Sequence, residues 1–199
     1  MKRPAVVLAL ACGAASSFVG NAQQPQGDGP RYSNGSNLMR PADYREWTFL
    51  SSGLGMTYED PSASQRPPQA SPTFGNVFVN PSSYRSFMQT GKWPDKTIFV
   101  LEVRASGSDA SINKAGRFQT GLAALEAEVK DSRFPDGWAF FNFGPARSMK
   151  DVAEPLSGQA VAPCVECHTK HTAVERTFVQ FYPTLLEAAR QKGTLKAGF

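Results

Sequence analysis

The sequence predicts a β-rich α+β fold with a few helices, and three observations carry that expectation. Residues 97–104 (TIFVLEVR) and 138–143 (WAFFNF) are dense in β-branched and aromatic side chains, which suit a pleated, buried surface. Fifteen Pro and 17 Gly in 199 residues punctuate the chain too often for a helical bundle. A hydrophobic content of 41% with 14 Phe is enough to bury one core, which excludes wholesale disorder. The length suits a single domain. The net charge of +4 is not gathered into a basic cluster or stripe, which argues against a nucleic-acid partner.

Residues 1–22 read as an export signal. Lys2 and Arg3 form the charged start, residues 5–11 a short apolar core, and Gly20-Asn21-Ala22 the small-residue cleavage site. Lipidation at Cys12 is an alternative, less well matched because Ala9 stands where a Leu is expected. Cleavage after Ala22 removes Lys2, Arg3 and Cys12, so the net charge falls from +4 to +2 and only Cys164 and Cys167 remain. No later stretch has the roughly 20 apolar residues of a membrane span. Residues 23–37 are polar and rich in Gly and Pro, which predicts a flexible lead-in to a domain over 38–199.

Within that domain, Pro41 suits the first turn of a short helix over 41–47. Residues 48–58 could begin a hairpin, and 59–72 form a low-complexity loop with paired prolines. Residues 74–79 alternate as a strand, with Phe74, Asn76 and Phe78 on one face and Val77 and Val79 on the other. A helix follows over 81–90, with Asn80 as its cap and Gly91 as its stop. Residues 122–130 fit strand and helix periods alike, and their alternation of Leu125, Ala127 and Val129 with Glu126, Glu128 and Lys130 favours a strand. Residues 144–163 read as loop and 174–192 as helix, divided at Pro183.

Cys164-Val165-Glu166-Cys167-His168 is a C-x-x-C-H, the attachment signature of c-type haem. On a helical turn the two thiols face one way and can each add to a haem vinyl group, while the adjacent His168 supplies the axial imidazole. Export agrees with this, because such attachment takes place outside the cytoplasm. Two other readings fit less well. A thioredoxin-like dithiol would sit near the start of a domain, and a zinc site would have to draw all four ligands from Cys164, Cys167, His168 and His171. His171 lies too close to His168 to reach the opposite face of a porphyrin and reads as a surface residue. Met39, Met56, Met88 and Met149 could in principle supply a sixth ligand, but no Met follows His168, where small electron-transfer cytochromes place theirs. A five-coordinate iron with an open distal position is expected.

The chain resembles the cytochrome P-460 and cytochrome c′-β family. The matching segments, in order, are residues 43–47 (DYREW), 77–81 (VFVNP) with Tyr84, 97–103, 125–132 (LEAEVKDS), 137–143 (GWAFFNF), 164–168 and 178–183 (FVQFYP). The resemblance implies an antiparallel sheet with a few helices, the C-terminal one carrying the haem attachment, and a periplasmic homodimer with one covalently bound haem c. P-460 members oxidise hydroxylamine and bear a lysine bonded to the haem; c′-β members bind nitric oxide and similar gases under an aromatic cap. In the family pattern the lysine falls where this chain has Leu101, with Lys92 and Lys96 just before the strand, and the distal Arg falls near Gly75.

The departures favour gas binding. His168 is expected as the metal ligand, Cys164 and Cys167 as the covalent attachment, and Leu101, Phe99 and Phe78 as candidate walls of an apolar distal pocket. Such a pocket offers no hydrogen bond and suits a small diatomic or nitrogenous ligand such as nitric oxide. Hydroxylamine oxidation, with Glu102 or Glu126 as proton carrier, is the enzymatic alternative. Plain electron transfer is a third. The redox partner is not identified by the sequence.

Overall fold

The computed structural model describes residues 27–57 and 71–199; the export-signal reading and most of the 59–72 loop lie outside them. Two short strands, β1 (Tyr32–Ser33) and β2 (Asn37–Met39), form a hairpin whose turn holds Asn34 and Gly35 at φ 48° and 83°. Both conformations are left-handed, where Asn and Gly are the residues best tolerated. Within the stretch expected to be a flexible lead-in, Asp28 is hydrogen-bonded to the start of the first helix and Tyr32–Ser33 pair in the sheet. Tyr32 donates to Asp131 at 2.8 Å, and Asp28 accepts the Ser82 backbone N–H at 2.7 Å.

After one 3₁₀ turn (Tyr44–Glu46) come β3 (Thr48–Leu54) and β4 (Phe74–Val79), then helix α1 (Pro81–Thr90). Pro81 starts the helix as expected, and Gly91 ends it at φ 71° with its N–H on the Phe87 carbonyl. The cap differs from expectation. Asp28, far away in sequence, takes the first-turn N–H, while the Asn80 side-chain oxygen accepts from the Ile98 N–H at 3.0 Å and clasps the next strand. That strand is β5 (Thr97–Gly107), followed by β6 (Phe118–Lys130), β7 (Trp138–Pro145) and the short β8 (Val152–Ala153). Helices α2 (Ala162–Lys170) and α3 (Pro183–Lys192) close the chain. Residues 144–163 are thus more than loop. The region 174–192 is helical throughout only from Pro183, preceded by a 3₁₀ turn at Val179–Phe181.

Strands β3 to β7 form a five-stranded sheet in sequence order, every pair antiparallel; β1, β2 and β8 make a second, three-stranded sheet. Strand alternation gives the larger sheet two faces. One carries Ile98, Val100, Leu125, Val129, Phe141 and Phe143 and is covered by Leu38, Tyr44, Trp47 and Phe134. The other carries Val79 and Phe99 and packs against Phe87 of α1, Val174, and Leu185 and Ala189 of α3. Trp93 ties this layer together: its ring lies against Phe87 and Phe99, with centroids 4.1 and 4.7 Å away, and its indole N–H donates to Thr177 at 2.8 Å. Among the described residues no helix is long and apolar enough to cross a membrane.

Candidate functional site

Helix α2 holds Cys164, Cys167 and His168 at i, i+3 and i+4, so the three side chains share one helical face. Both cysteines are free and half-buried, and burial pushes both thiols above their ordinary range. The His168 ring stands between Phe140 and Phe178, each presented edge-on at centroid distances of 4.8 and 4.7 Å. Its Nδ1 lies 2.8 Å from the Arg176 carbonyl, which can only accept, so Nδ1 carries the proton and Nε2 is the free lone pair. Glu128 Oε1 is 3.1 Å from the same Nδ1, yet the N–H is directed to Arg176; this oxygen is buried with no hydrogen-bond partner. Burial drives Glu128 strongly toward its neutral form.

His168 and Cys164 border a cavity of about 470 Å³ on the helix-covered face of the sheet, a size usual for a cofactor pocket. Its floor is ordered by strand register. Phe99, Glu128 and Phe140 form the row nearest His168; Val77, Leu101, Glu126 and Asn142 form the next; Gly53, Gly75 and Val103 form the third. Successive rows are two residues apart along the strands, roughly 6.5–7 Å. The third row has no bulk of its own at two positions. A Cβ at Gly53 would fall 2.2 Å from Met56 Sδ, and one at Gly75 would fall 3.4 Å from a Leu101 methyl. Met56 therefore occupies the space above Gly53.

Of the residues singled out in the sequence, Cys164, His168, Leu101 and Phe99 line this cavity, and Cys167 lies beside it on α2. Phe78 does not. It is in register with Val100 and packs on the opposite face, against Tyr44 and Phe49 with centroids 5.5 and 5.6 Å away; Val77 takes the cavity side. The two candidate proton carriers are likewise separated. Glu126 lines the cavity and burial raises its pKa, whereas Glu102 is on the far face, held by Tyr44, Arg45, Asn76 and Arg104. Lys96 bonds Asp131 at 2.5 Å, and neither it nor Lys92 borders the cavity. Of the four methionines considered, only Met56 borders it among the described residues.

The donor set fits a haem on the observations above: an imidazole whose Nε2 is unprotonated, a thiol pair one turn apart, and a cavity with an apolar wall at Val77, Leu101 and Val103. A family model described as Cytochrome P460 matches residues 41–179. The chain belongs to the cytochrome P460 family. The match covers all five strands of the larger sheet together with α1 and α2, so membership extends over the elements that build the cavity, and it makes this chain a haem protein. A search of curated proteins finds no match. The site features of this family member that sequence reasoning missed are Glu128, the Arg176 carbonyl, Phe140 and Phe178. Only Glu128 carried a signal, as the second acid of an alternating strand.

Proposed function

We propose that this cytochrome P460 family member is an exported, periplasmic c-type haem protein that binds nitric oxide or a similar small ligand for sensing, buffering or detoxification. Cys164 and Cys167 hold one haem through two thioethers, and His168 supplies its proximal ligand through Nε2. When bound, the haem supplies an iron with one open coordination position. The chain's part is to orient and to exclude. The Arg176 carbonyl fixes the His168 tautomer, Phe140 and Phe178 fix its ring plane, and Leu101, Val77 and Val103 present hydrocarbon where a polar side chain would hold water or an anion. Leu101, Val77 and Val103 offer no hydrogen bond, and this part of the wall favours a neutral diatomic. The observation that carries this reading is the fixed Nδ1 donor of His168 at one end of a cavity whose middle row is built on Leu101. The protein acts as a homodimer and exchanges electrons with a redox partner.

One residue favours a second reading, oxidation of hydroxylamine coupled to an external electron acceptor. Glu126 is a carboxyl in the cavity with a raised pKa, placed to take up a substrate proton. Against it, Leu101 stands where the haem-bonded lysine of that chemistry would be. Absorption spectra of the purified ferrous protein, with and without nitric oxide, separate the two. A five-coordinate c-type spectrum that changes on adding the gas, with no turnover of hydroxylamine, supports the first. A red-shifted band together with hydroxylamine turnover supports the second.

A further inference from the structure

Glu175 stands where a glycine would be expected. The backbone pairs Val174 with Thr177 as a short bridge, and the Thr177 N–H returns to the Val174 carbonyl at 2.8 Å, so Glu175 and Arg176 are the central residues of a tight turn. Glu175 has φ 50°, and Arg176 does not share the positive φ. A turn with positive φ at its first central position alone normally has Gly there, and a long side chain held so is an outlier. The Glu175 carboxylate is bound on both oxygens. Oε1 accepts the Trp93 backbone N–H at 3.3 Å, and Oε2 accepts from Lys130 Nζ at 2.6 Å. Lys130 also donates to the Trp93 carbonyl at 2.7 Å, and its Nζ lies 5.7 Å from the Trp138 ring centroid. The 91–96 connection, the end of β6 and the turn thus meet on one partly buried ion pair.

We propose that the Lys130–Glu175 pair is a clamp that positions His168: it holds the 174–177 turn in its strained shape, and that shape aims the Arg176 carbonyl at Nδ1. The proposal rests on the reading of His168 as proximal ligand. Left-handed backbone at a residue other than Gly persists only where the surroundings over-determine it. Here Lys130 and the Trp93 N–H do so, and Trp93 is a rigid anchor, its ring packed against Phe87 and Phe99. The residue directly after the strained one supplies the carbonyl, 2.8 Å from the ring nitrogen. Relaxation of Glu175 to an ordinary φ would change the course of the chain at Arg176 and carry that carbonyl away. A fixed Nδ1 donor orients the imidazole and raises its basicity toward a metal at Nε2. Lys130 and Glu175 are therefore positioning residues that act on His168 through the backbone of Arg176.

The test compares haem-loaded wild type with Glu175→Ala, Glu175→Gly and Lys130→Met. It reads the iron–histidine stretch from resonance Raman spectra of the ferrous proteins, with urea unfolding measured alongside. Glu175→Ala leaves the turn strained and unclamped, and is expected to shift the stretch to lower frequency as the Nδ1 hydrogen bond is lost. Lys130→Met is expected to shift it the same way. Glu175→Gly loses the clamp but needs none, because glycine adopts this φ freely, and is expected to return the stretch to the wild-type value. A pair that only stabilises the fold would lower the urea midpoint of Glu175→Ala and Lys130→Met and leave their stretch unmoved. That result overturns the proposal, as does a Glu175→Gly protein shifted like Glu175→Ala. Should either Glu175→Ala or Lys130→Met not fold, the other decides. A wild type with no iron–histidine band overturns the ligand assignment and the clamp with it, whereas failure of the clamp alone leaves that band in place.

Discussion

Replacing Glu102 with Gln tests whether this acid is structural, as its place on the far face of the sheet implies. Its two oxygens accept from four side chains: Arg45 at 2.8 Å and Tyr44 on Oε2, Asn76 at 3.1 Å and Arg104 at 3.2 Å on Oε1. Burial and the adjacent carboxylate push the Tyr44 hydroxyl up to about 12, so it stays a donor at all ordinary pH. An amide can present only one acceptor oxygen, so one buried donor and one arginine lose their partner. Hydrogen bonds to charged groups contribute about 1.5–3 kcal/mol each. The arginine term shrinks because Arg45 is 57% exposed and water can replace the lost contact. The expected loss is about 2–4 kcal/mol, measured by urea unfolding at neutral pH. Burial alone would raise the Glu102 pKa, but its four donors lower it below that of the unfolded chain. The unfolded state therefore binds the proton more readily, and the stabilisation is complete above the ordinary carboxylate range and lost as pH falls through the folded value. The gap between wild type and variant should close over that acid window, while nitric oxide binding at neutral pH stays unchanged. Coincident unfolding curves at neutral pH, or altered gas binding without a stability change, would refute the assignment.

Other substitutions probe the cavity and its supports. Met56→Ala should speed nitric oxide association several-fold in stopped-flow measurements, because Met56 fills the space over Gly53 in the row furthest from His168; an unchanged rate would place the cap elsewhere. Gly91→Ala should cost about 1–3 kcal/mol, since φ is 71° and the new Cβ would lie 2.7 Å from the Lys192 Cβ; a thermal melt checks it. Phe143→Ala empties a fully buried site on the face away from the cavity. It should cost about 3–5 kcal/mol and leave the haem spectrum as in the wild type.

Much of the sheet could be read directly. Residues 98–101 are apolar on both faces because both are covered, and 74–79 alternate because Asn76 and Phe78 turn one way while Val77 and Val79 turn the other. What alternation cannot tell is which face meets the cavity. Phe78 is a candidate pocket wall by its chemistry, yet the helices that close the pocket cover the valine side. The hairpin around Asn34-Gly35 leaves no periodic signal for a different reason: its strands are only two and three residues long. In the site itself, C-x-x-C-H was legible because its chemistry is local to one helical turn. Glu128 and the Arg176 carbonyl were not, since their meeting with His168 depends on where β6 and the 171–178 turn pass α2.

The central claim is that the two cysteines of α2 carry a haem. Intact mass of the denatured protein, produced together with a competent c-type attachment system, measures this directly. One haem retained under denaturing conditions, and located on the peptide containing Cys164 and Cys167, is the expected result. A colourless polypeptide at the bare mass with both thiols free to alkylation would contradict it.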